Sequence, residues 1–228
     1  MHAHWMEALT FSAFATALLP DWRVMALDQR GHGHSDHAET YTREAYLGDL
    51  EAFCHHLHLA QPVIMLGNSL GGVNAYQFAA RRPERVRALI IEDIGAVLAD
   101  DVSIVLSWEG TFKTREALAE KIGPRLAPYL EDSFRETPEG WKLAFDPRDM
   151  MKSQASINGD HWKDWLASTC PALLIRGRES RVTRQEHMEE LARRRPNTRL
   201  VVLEGGHVIH ASHTALFVAA VRTFLSEL

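Results

Sequence analysis

The 228-residue sequence has only two cysteines, fewer basic than acidic residues, and no apolar run as long as a membrane span. Cys54 and Cys170 are too few for a disulfide framework, so we expect free thiols in a reducing cytoplasm. The net charge of −5, with positive residues scattered along the chain, argues against a nucleic-acid partner. The absence of an apolar run of membrane-spanning length argues against a membrane partner. With 46% hydrophobic and 24% charged residues, the composition is that of a globular protein of one domain.

Residues 8–19 are apolar enough to resemble a signal peptide, but the charged segment that starts such a peptide is missing. Glu7 precedes them, and no Lys or Arg does. Apolar residues recur at helical spacing between Trp5 and Leu19, which favours an amphipathic helix over residues 5–19. We therefore expect this segment to belong to the folded domain.

Further along the chain, apolar runs typical of strands alternate with segments at helical spacing. The predicted strands are residues 23–27, 63–66, 85–94, 171–176 and 199–203, and the predicted helices are 42–57, 72–81, 184–194 and 215–228. Such alternation is typical of right-handed crossovers in a mainly parallel sheet flanked by helices. The predicted fold class is therefore α/β.

The alternation stops between residues 96 and 169, where no strand is predicted and short helical pieces are broken by Gly and Pro. We interpret residues 1–95 and 170–228 as a core, and residues 96–169 as a helical cap inserted between two strands of its sheet. Several tryptophans lie in the insertion. Trp108, near its start, is the one predicted to line a pocket.

Residues 67–71, Gly-Asn-Ser-Leu-Gly, follow a predicted strand and precede a predicted helix. A serine in a Gly-x-Ser-x-Gly turn between strand and helix is typical of a nucleophile elbow, in which the hydroxyl projects beyond the sheet edge. Ser69 is therefore the predicted nucleophile. The N–H group of Leu70 is the predicted donor to a developing oxyanion, because the N-terminus of the following helix favours negative charge.

His207 is the predicted base that would activate the serine. It follows the last predicted strand and the pair Gly205-Gly206, so it lies on a loop at the carboxyl edge of the sheet, where the elbow also emerges. His210 and His213 lie further along the chain and are expected to be loop or supporting residues.

Three carboxylates are candidates to orient His207: Asp93, Glu179 and Glu92. Glu92 and Asp93 end a predicted strand at the same sheet edge, but side chains alternate along a strand, so only one of them can face the site. Asp93 is preferred, Glu179 comes next and Glu92 ranks last. A carboxylate is required because a neutral hydroxyl cannot stabilise an imidazolium as well.

Residues 32–37, His-Gly-His-Ser-Asp-His, spell a motif that binds two zinc ions in another fold. Histidines at this spacing can chelate a metal, and an Asp can bind a second one. That fold is a β-sandwich with further ligands on later strands, whereas this sequence alternates strands and helices. We therefore expect no metal site, and interpret the segment as a turn after a strand.

Taken together, these segments resemble the α/β-hydrolase superfamily, and more narrowly its small bacterial esterases with a helical cap. The matching segments, in order, are residues 28–36, the turn at Ser69, and residues 93–95, 174–177 and 206–210. In that superfamily the acid often stands in a Gly-x-x-Asp context, where this sequence has Ser180. Some members carry the acid at the position of Asp93 and a Ser at that of Ser180, which supports Asp93 as the acid.

The resemblance implies a serine hydrolase that cleaves small carboxylic esters through an acyl-enzyme. Ser69, His207 and Asp93 would form its triad, and no cofactor is implied. The residues expected to bind substrate are Asn68, Trp108 and Val208. Two alternatives stay open. One is a vestigial, non-catalytic binding protein. The other is a lactonase or a carbon–carbon bond hydrolase, because Asn68 resembles the variant found in the latter.

The expected partner is a small-molecule ester, met in the cytoplasm, and the chain could form a homodimer.

The N-terminus departs from the family. The family normally begins with further strands and a His-Gly loop that supplies a second oxyanion donor, and this sequence starts at what would be the next helix. The absent strand would lie between residues 23–27 and 63–66, so a gap or a re-paired sheet is expected. Losing one donor costs about 10²–10³ in rate, or about 3–4 kcal/mol. We expect either a truncated or mis-started reading frame or a reduced hydrolase with weak activity. Residues near His2 and His4 are candidates to donate a replacement N–H.

Overall fold

The computed structural model describes residues 1–228. The strands are β1 (Val63–Asn68), β2 (Val86–Glu92), β3 (Val97–Leu98), β4 (Phe134–Thr137), β5 (Gly140–Leu143), β6 (Gly159–Asp160), β7 (Ala172–Gly177) and β8 (Thr198–Leu203). The helices are α1 (Ser12–Ala17), α2 (Arg43–His56), α3 (Leu70–Arg81), α4 (Arg115–Ile122), α5 (Ala127–Leu130), α6 (Pro147–Ile157), α7 (Trp162–Leu166), α8 (Gln185–Arg194), α9 (Ile209–Ser212) and α10 (Thr214–Leu225). Short 3₁₀ turns occur at Ala8–Phe11, Pro83–Arg85, Ser103–Trp108 and Glu131–Ser133. No helix combines the length and the apolar character needed to cross a membrane.

The four longest strands form one parallel sheet in the order β1-β2-β7-β8. On β2, for example, Ile91 lies opposite Gly67 of β1 and Leu174 of β7. Every residue of β7 is buried, because helices cover both faces of the sheet, as is typical of parallel strands. The predicted α/β fold is confirmed, and each of these strands begins and ends within two residues of its predicted bounds.

Two hydrophobic clusters, one on each face of the sheet, hold the helices in place. On one face α3 and α8 pack over Leu89, in a cluster of 23 buried residues. On the other face α1 and α10 pack over Ile90, in a cluster of 12 buried residues. Neighbouring residues of β2 thus belong to different clusters, because side chains alternate across a sheet. All four strands run in one direction, so their carboxyl ends meet at a single edge.

The N-terminal helix is shorter than predicted. A 3₁₀ turn followed by α1 replaces the helix expected over residues 5–19. The backbone at Trp5 has a φ of 71°, a left-handed conformation that a helix does not allow. Before it, the Met1 amine donates to the carbonyl of Leu66 at 2.8 Å, and the N–H of Asn68 donates to the carbonyl of Met1 at 3.1 Å. Met1 therefore pairs with β1 as a parallel strand would.

The strand predicted at residues 23–27 does not form. No backbone N–H or C=O group in this segment makes a hydrogen bond to another backbone group. A strand needs a partner, and an apolar cavity of about 280 Å³ lies between this segment and β1. Val24 and Met25 line the cavity together with Val63 and Ile64. Of the two expected outcomes, a gap or a re-paired sheet, the structure has a gap beside residues 23–27, and β1 is re-paired only at Met1.

We expect the amides of residues 23–27 to exchange with deuterium orders of magnitude faster than those of β2. Unpaired amides exchange without unfolding, whereas amides of a central strand exchange only when the sheet opens. Hydrogen exchange followed by mass spectrometry, on peptides covering residues 22–28 and 86–92, measures the difference. Equal protection of the two peptides would show that residues 23–27 are paired in solution.

The segment between β2 and β7 contains strands as well as helices. Antiparallel β4 and β5 form a hairpin, and β3 pairs with β6. The prediction of an insertion without strands is wrong, because alternation cannot be detected over such short elements. Gly140, with a φ of 130°, permits the tight hairpin turn. The division of the chain into a core and a cap stays a prediction.

Trp108 lies inside the hydrophobic core of the insertion, where it is 1% exposed. It packs with Leu118 and Met150, and its ring meets that of Trp5 edge-on at 5.2 Å. The hydroxyl of Ser133 donates to the carbonyl of Trp5 at 2.8 Å. Trp108 therefore joins the insertion to the N-terminal segment, which is the anchoring role of many large buried aromatic residues.

Candidate active site

Ser69 lies on a sharp turn between β1 and α3, at the carboxyl edge of the sheet. Its backbone has φ 51° and ψ −117°, a strained conformation for a residue with a side chain. The flanking residues must be glycines. A Cβ atom at Gly67 would lie 2.1 Å from the carbonyl oxygen of Gly71, and one at Gly71 would lie 2.3 Å from that of Met1. The chain thus makes the sharp elbow expected of this motif, with strain of about 1–3 kcal/mol.

The structure pairs His207 with Asp93. The Nδ1 atom of His207 lies 2.7 Å from Asp93 Oδ2, and the Asp93 side chain is fully buried. Because an ionised carboxylate only accepts hydrogen bonds, Nδ1 carries the proton. Nε2 is then the ring nitrogen that remains to accept a proton from another group.

Two hydroxyl groups hold the Asp93 carboxylate. Ser180 Oγ donates to Oδ2 at 2.5 Å, and Thr183 Oγ1 donates to Oδ1 at 2.6 Å. Ser180 stands where the family often has its acid, and here it donates to the acid instead. Both oxygens of this buried carboxylate therefore have hydrogen-bond donors, as a buried polar group requires. Thr183 was not predicted, since its only signal is a Ser-x-x-Thr spacing after a strand.

The other two candidate acids do not contact the His207 ring. The carboxylate of Glu92 accepts a hydrogen bond from the backbone N–H of Ile209 at 2.6 Å. Glu179 lines the cavity that Ser69 also lines, without a hydrogen bond from its side chain. Of the two adjacent carboxylates, only that of Asp93 contacts His207. Strand alternation does not explain this, because β2 ends at Glu92 and Asp93 has a left-handed φ of 50°.

Ser69 and His207 line the same cavity, which has a volume of about 680 Å³. The only hydrogen bond of the His207 ring is the one to Asp93, so none joins it to the Ser69 hydroxyl. Catalytic hydrogen bonds are often long until substrate binds. The fold thus brings Ser69 and His207 to one cavity, while Asp93 is buried outside the cavity lining and contacts His207.

Free backbone donors lie next to the elbow. The N–H groups of Leu70, Ala3 and His4 make no hydrogen bond to another backbone group. Ala3 and His4 also line the cavity described above. The N–H of Gly71 donates to the carbonyl of His2 at 3.2 Å, which holds the first residues against the elbow. Ala3 and His4 are therefore the residues of this segment that combine an unpaired N–H with a place at the cavity.

Three buried histidines pack together beside these first residues. The ring centroid of His32 lies 5.0 Å from that of His2 and 6.0 Å from that of His4. Burial lowers the pKa of His2 and His4 well below the ordinary value, and that of His32 to about 4. All three are therefore neutral at neutral pH, and His2 Nε2 accepts a hydrogen bond from the N–H of Gln29 at 3.0 Å.

Of the three residues predicted to bind substrate, only Val208 lines the cavity. Asn68 is fully buried, and its amide donates to the carbonyl oxygens of Glu92 at 3.2 Å and His207 at 2.9 Å. Trp108 is enclosed in the core of the insertion. Asn68 therefore ties the elbow to the loop that carries His207, and this structural role accounts for an asparagine at that position.

The charged residues of the cavity carry no motif in the sequence. Arg125 of the insertion and Arg181 of the core both line it, as do Asp100 and Glu179. Glu179 and Arg181 share the loop between β7 and α8, whereas Asp100 and Arg125 come from two other segments, so only the fold brings the set together. Apart from Glu179, which the sequence names as a candidate acid, no pattern indicates them.

The zinc-like motif does not assemble a ligand cluster. His32 Nδ1 contacts the carbonyl of Arg30 at 3.0 Å, while His37 Nδ1 contacts Asp149 at 3.3 Å. No group of three or more His, Cys, Asp or Glu side chains in the structure is arranged so that it could hold a metal ion. Residues 32–37 belong to a turn, closed by a hydrogen bond from the N–H of Gly31 to the carbonyl of Asp36 at 3.0 Å.

The fold and the cavity together define a class of protein. A parallel α/β sheet with a serine elbow at one strand end, and a histidine–carboxylate pair at the same cavity, is the arrangement of the α/β hydrolases.

The chain belongs to the alpha/beta hydrolase family, whose model matches residues 1–220. It is 26% identical to the sn-1-specific diacylglycerol lipase ABHD11 of Mus musculus, over 99% of this chain and 80% of that protein. It is 27% identical to the pimeloyl-(acyl-carrier protein) methyl ester esterase of Neisseria meningitidis serogroup C, over 90% of this chain and 83% of that protein. Among solved structures, a marine microorganism esterase shares its fold with a TM-score of 0.86 and 23% identity, over 98% of this chain and 93% of that one. The predicted family is confirmed, and the protein is a hydrolase.

Proposed function

We propose that the protein hydrolyses small carboxylic esters, with Ser69 as nucleophile, His207 as base and Asp93 as the orienting acid. The observation that carries the proposal is the 2.7 Å contact between His207 Nδ1 and Asp93 Oδ2 at the cavity that Ser69 also lines. A buried carboxylate that fixes an imidazole leaves Nε2 available for proton transfer. The similarity to proteins described as a lipase and an esterase supports ester bonds as the target.

In this mechanism, Nε2 of His207 takes the proton of Ser69 as Oγ attacks the ester carbonyl carbon. The N–H of Leu70 binds the oxyanion, and the free N–H groups of Ala3 and His4 are the candidates for a second donor. Collapse of the tetrahedral intermediate expels the alcohol, which takes the proton from His207. Water, deprotonated by His207, then attacks the acyl-enzyme and releases the acid.

The cavity suits a small or medium acyl or aryl ester better than a peptide. Nine of its 18 lining residues are hydrophobic, and its volume of about 680 Å³ is that of a small-molecule site. Tyr129 and Gln154 of the insertion line it together with Gly206 of the core. We therefore assign residues 96–169 the role of a cap over the site.

p-Nitrophenyl acetate tests the proposal, because acylation of Ser69 releases p-nitrophenolate. We expect wild-type protein to release it in a burst of about one equivalent, or in steady turnover, and to gain one acetyl group on the peptide that contains Ser69. Ser69→Ala should show neither. Ser107→Ala, at an exposed serine of the insertion, is the matched control and should behave as wild type. Equal release by wild type and Ser69→Ala would contradict the proposal.

The absence of a hydrogen bond between Ser69 and His207 favours a second candidate, a binding protein that retains the elbow without turnover. The same assay separates the two. Competitive binding of esters to a cavity in which Ser69 is never acetylated would support the second candidate.

A further inference from the structure

A second carboxylate–imidazole pair lies beside the pair of His207 and Asp93. Glu92 and His210 are both 0% exposed, and Glu92 Oε2 lies 2.6 Å from His210 Nδ1. The other carboxylate oxygen accepts hydrogen bonds from the backbone N–H groups of Ile209 at 2.6 Å and His210 at 2.9 Å. Each carboxylate oxygen is thus paired, as a buried charge requires. No step of the proposed ester hydrolysis uses this pair.

The His210 ring of this pair also contacts a hydroxyl group. His210 Nε2 lies 3.0 Å from Thr10 Oγ1, so carboxylate, imidazole and hydroxyl follow one another as they do in a catalytic triad. The His210 ring, however, is stacked on Phe11 at 4.1 Å and has no exposed surface. Thr10 does not line the cavity of Ser69. Substrate cannot reach this arrangement, which therefore is not a second active site.

Glu92 contacts both segments that carry the proposed chemistry. Its carboxylate binds the first residues of α9, which begins at Ile209, just beyond His207. Its backbone carbonyl accepts hydrogen bonds from the N–H of Ser69 at 3.1 Å and from Asn68 Nδ2 at 3.2 Å. The same Asn68 amide donates to the carbonyl of His207 at 2.9 Å. Glu92 and Asn68 therefore set the spacing between the elbow and the loop of the base.

We propose that Glu92 is a positioning residue, which acts through His210 and the start of α9 to hold His207 within reach of Ser69. This inference rests on the proposed ester hydrolysis. Two consecutive glycines precede His207, so the loop has little stiffness of its own and depends on its anchors. The charge of Glu92 matters because charge-assisted hydrogen bonds are about twice as strong as neutral ones. A displacement of about 1 Å at a reacting group can cost about 100-fold in rate.

Glu92→Gln tests the role, because glutamine keeps the shape and one acceptor oxygen while the charge is lost. We expect kcat for p-nitrophenyl acetate, per folded molecule, to fall about 10- to 100-fold. KM should change by less than about twofold, since the cavity is untouched. Glu204→Gln is the matched control. It removes a charge from the exposed start of the same loop, where Glu204 pairs with Arg178, and should leave kcat unchanged.

The proton on Nδ1 of His207 gives a readout that does not depend on activity. Its hydrogen bond to Asp93 should place its NMR resonance far downfield, and loss of the signal in Asp93→Asn assigns it. We expect Glu92→Gln to shift or broaden this resonance, and Glu204→Gln to leave it unchanged. If Ser69→Ala shows that the ester reaction does not occur, the proposed function fails, and the resonance alone decides the positioning role.

His210→Phe is the second variant, because it keeps a ring stacked on Phe11 and removes both nitrogen contacts. If the pair acts as a unit, the double variant with Glu92→Gln should lose less activation free energy than the sum of the losses in the two single variants. An unchanged kcat and an unchanged resonance in the two folded single variants would overturn the proposal. Failure of both variants to fold would also overturn it, because the pair would then serve stability alone.

Discussion

Asp93→Asn is expected to lower kcat/KM for p-nitrophenyl acetate by about 10³–10⁴-fold. The carboxylate, 2.7 Å from His207 Nδ1, holds the imidazole in the tautomer whose Nε2 can accept a proton, and an amide can present a donor there instead. The fold should survive, because asparagine is among the few residues that tolerate a positive φ, which is 50° at this position. Steady-state kinetics, on variants with a wild-type near-UV circular dichroism spectrum, measure the loss.

Glu179→Gln is the matched control for this loss. Glu179 lines the same cavity but has no hydrogen bond to His207, so its charge can be removed with little change in rate. A large loss in Glu179→Gln with a small one in Asp93→Asn would transfer the role of the acid to Glu179.

Ser180 allows a stricter version of the experiment. Its hydroxyl lies 2.5 Å from Asp93 Oδ2, the oxygen that contacts His207, so a carboxylate at position 180 would come within reach of the ring. We expect the double variant Asp93→Asn/Ser180→Asp to recover part of the rate that Asp93→Asn loses. No recovery in a folded double variant would mean that the acid must stand at the end of β2.

The strands of the central sheet could be predicted because their signals are local. A run such as Leu89 to Ile91 is apolar on both faces, and its shortness and β-branched residues favour a buried strand over a helix. Residues 23–27 carry a similar local signal, but a strand forms only beside a partner. A cavity lies next to β1 at the place where that partner would be. No pattern within residues 23–27 could show that the partner strand is absent.

The candidate site was predictable to the same extent. Ser69, Asp93 and His207 each follow a strand, and parallel strands deliver their carboxyl ends to one edge, so chain order places all three at that edge. Chain order leaves Glu179 and Glu92 as alternatives to Asp93, and the resemblance to the family supports Asp93. The sequence predicts Asn68 to bind substrate because it stands directly before the nucleophile, and Trp108 because it lies near the start of the insertion. Their burial depends on tertiary packing. Asn68 instead links the elbow to the loop of His207, and Trp108 packs in the core of the insertion.

Acid is expected to destabilise the fold through its buried histidines. Burial lowers the pKa of His2 and His4 well below 6.5, and that of His32 to about 4. In the unfolded chain all three histidines take up protons as the pH falls through the ordinary pKa of 6.5, whereas in the folded chain they stay neutral. The unfolded state therefore binds more protons between pH 6.5 and about 4, and the free energy of unfolding falls as the pH falls through this window.

Each histidine contributes at most about 1.4 kcal/mol per pH unit to this slope, and three contribute at most about 4 kcal/mol. Glu7 has the opposite effect on the slope. Burial raises its pKa, so the folded state binds this proton at a higher pH than the unfolded state does. Urea unfolding at about pH 7 and about pH 5.5 measures the slope. His32→Phe keeps a ring between its neighbours and should reduce the slope by about one proton, while His55→Gln, at an exposed position, should leave it unchanged. The same slope in His32→Phe as in wild type would contradict a neutral His32, and with it the view that this cluster stays uncharged beside the elbow.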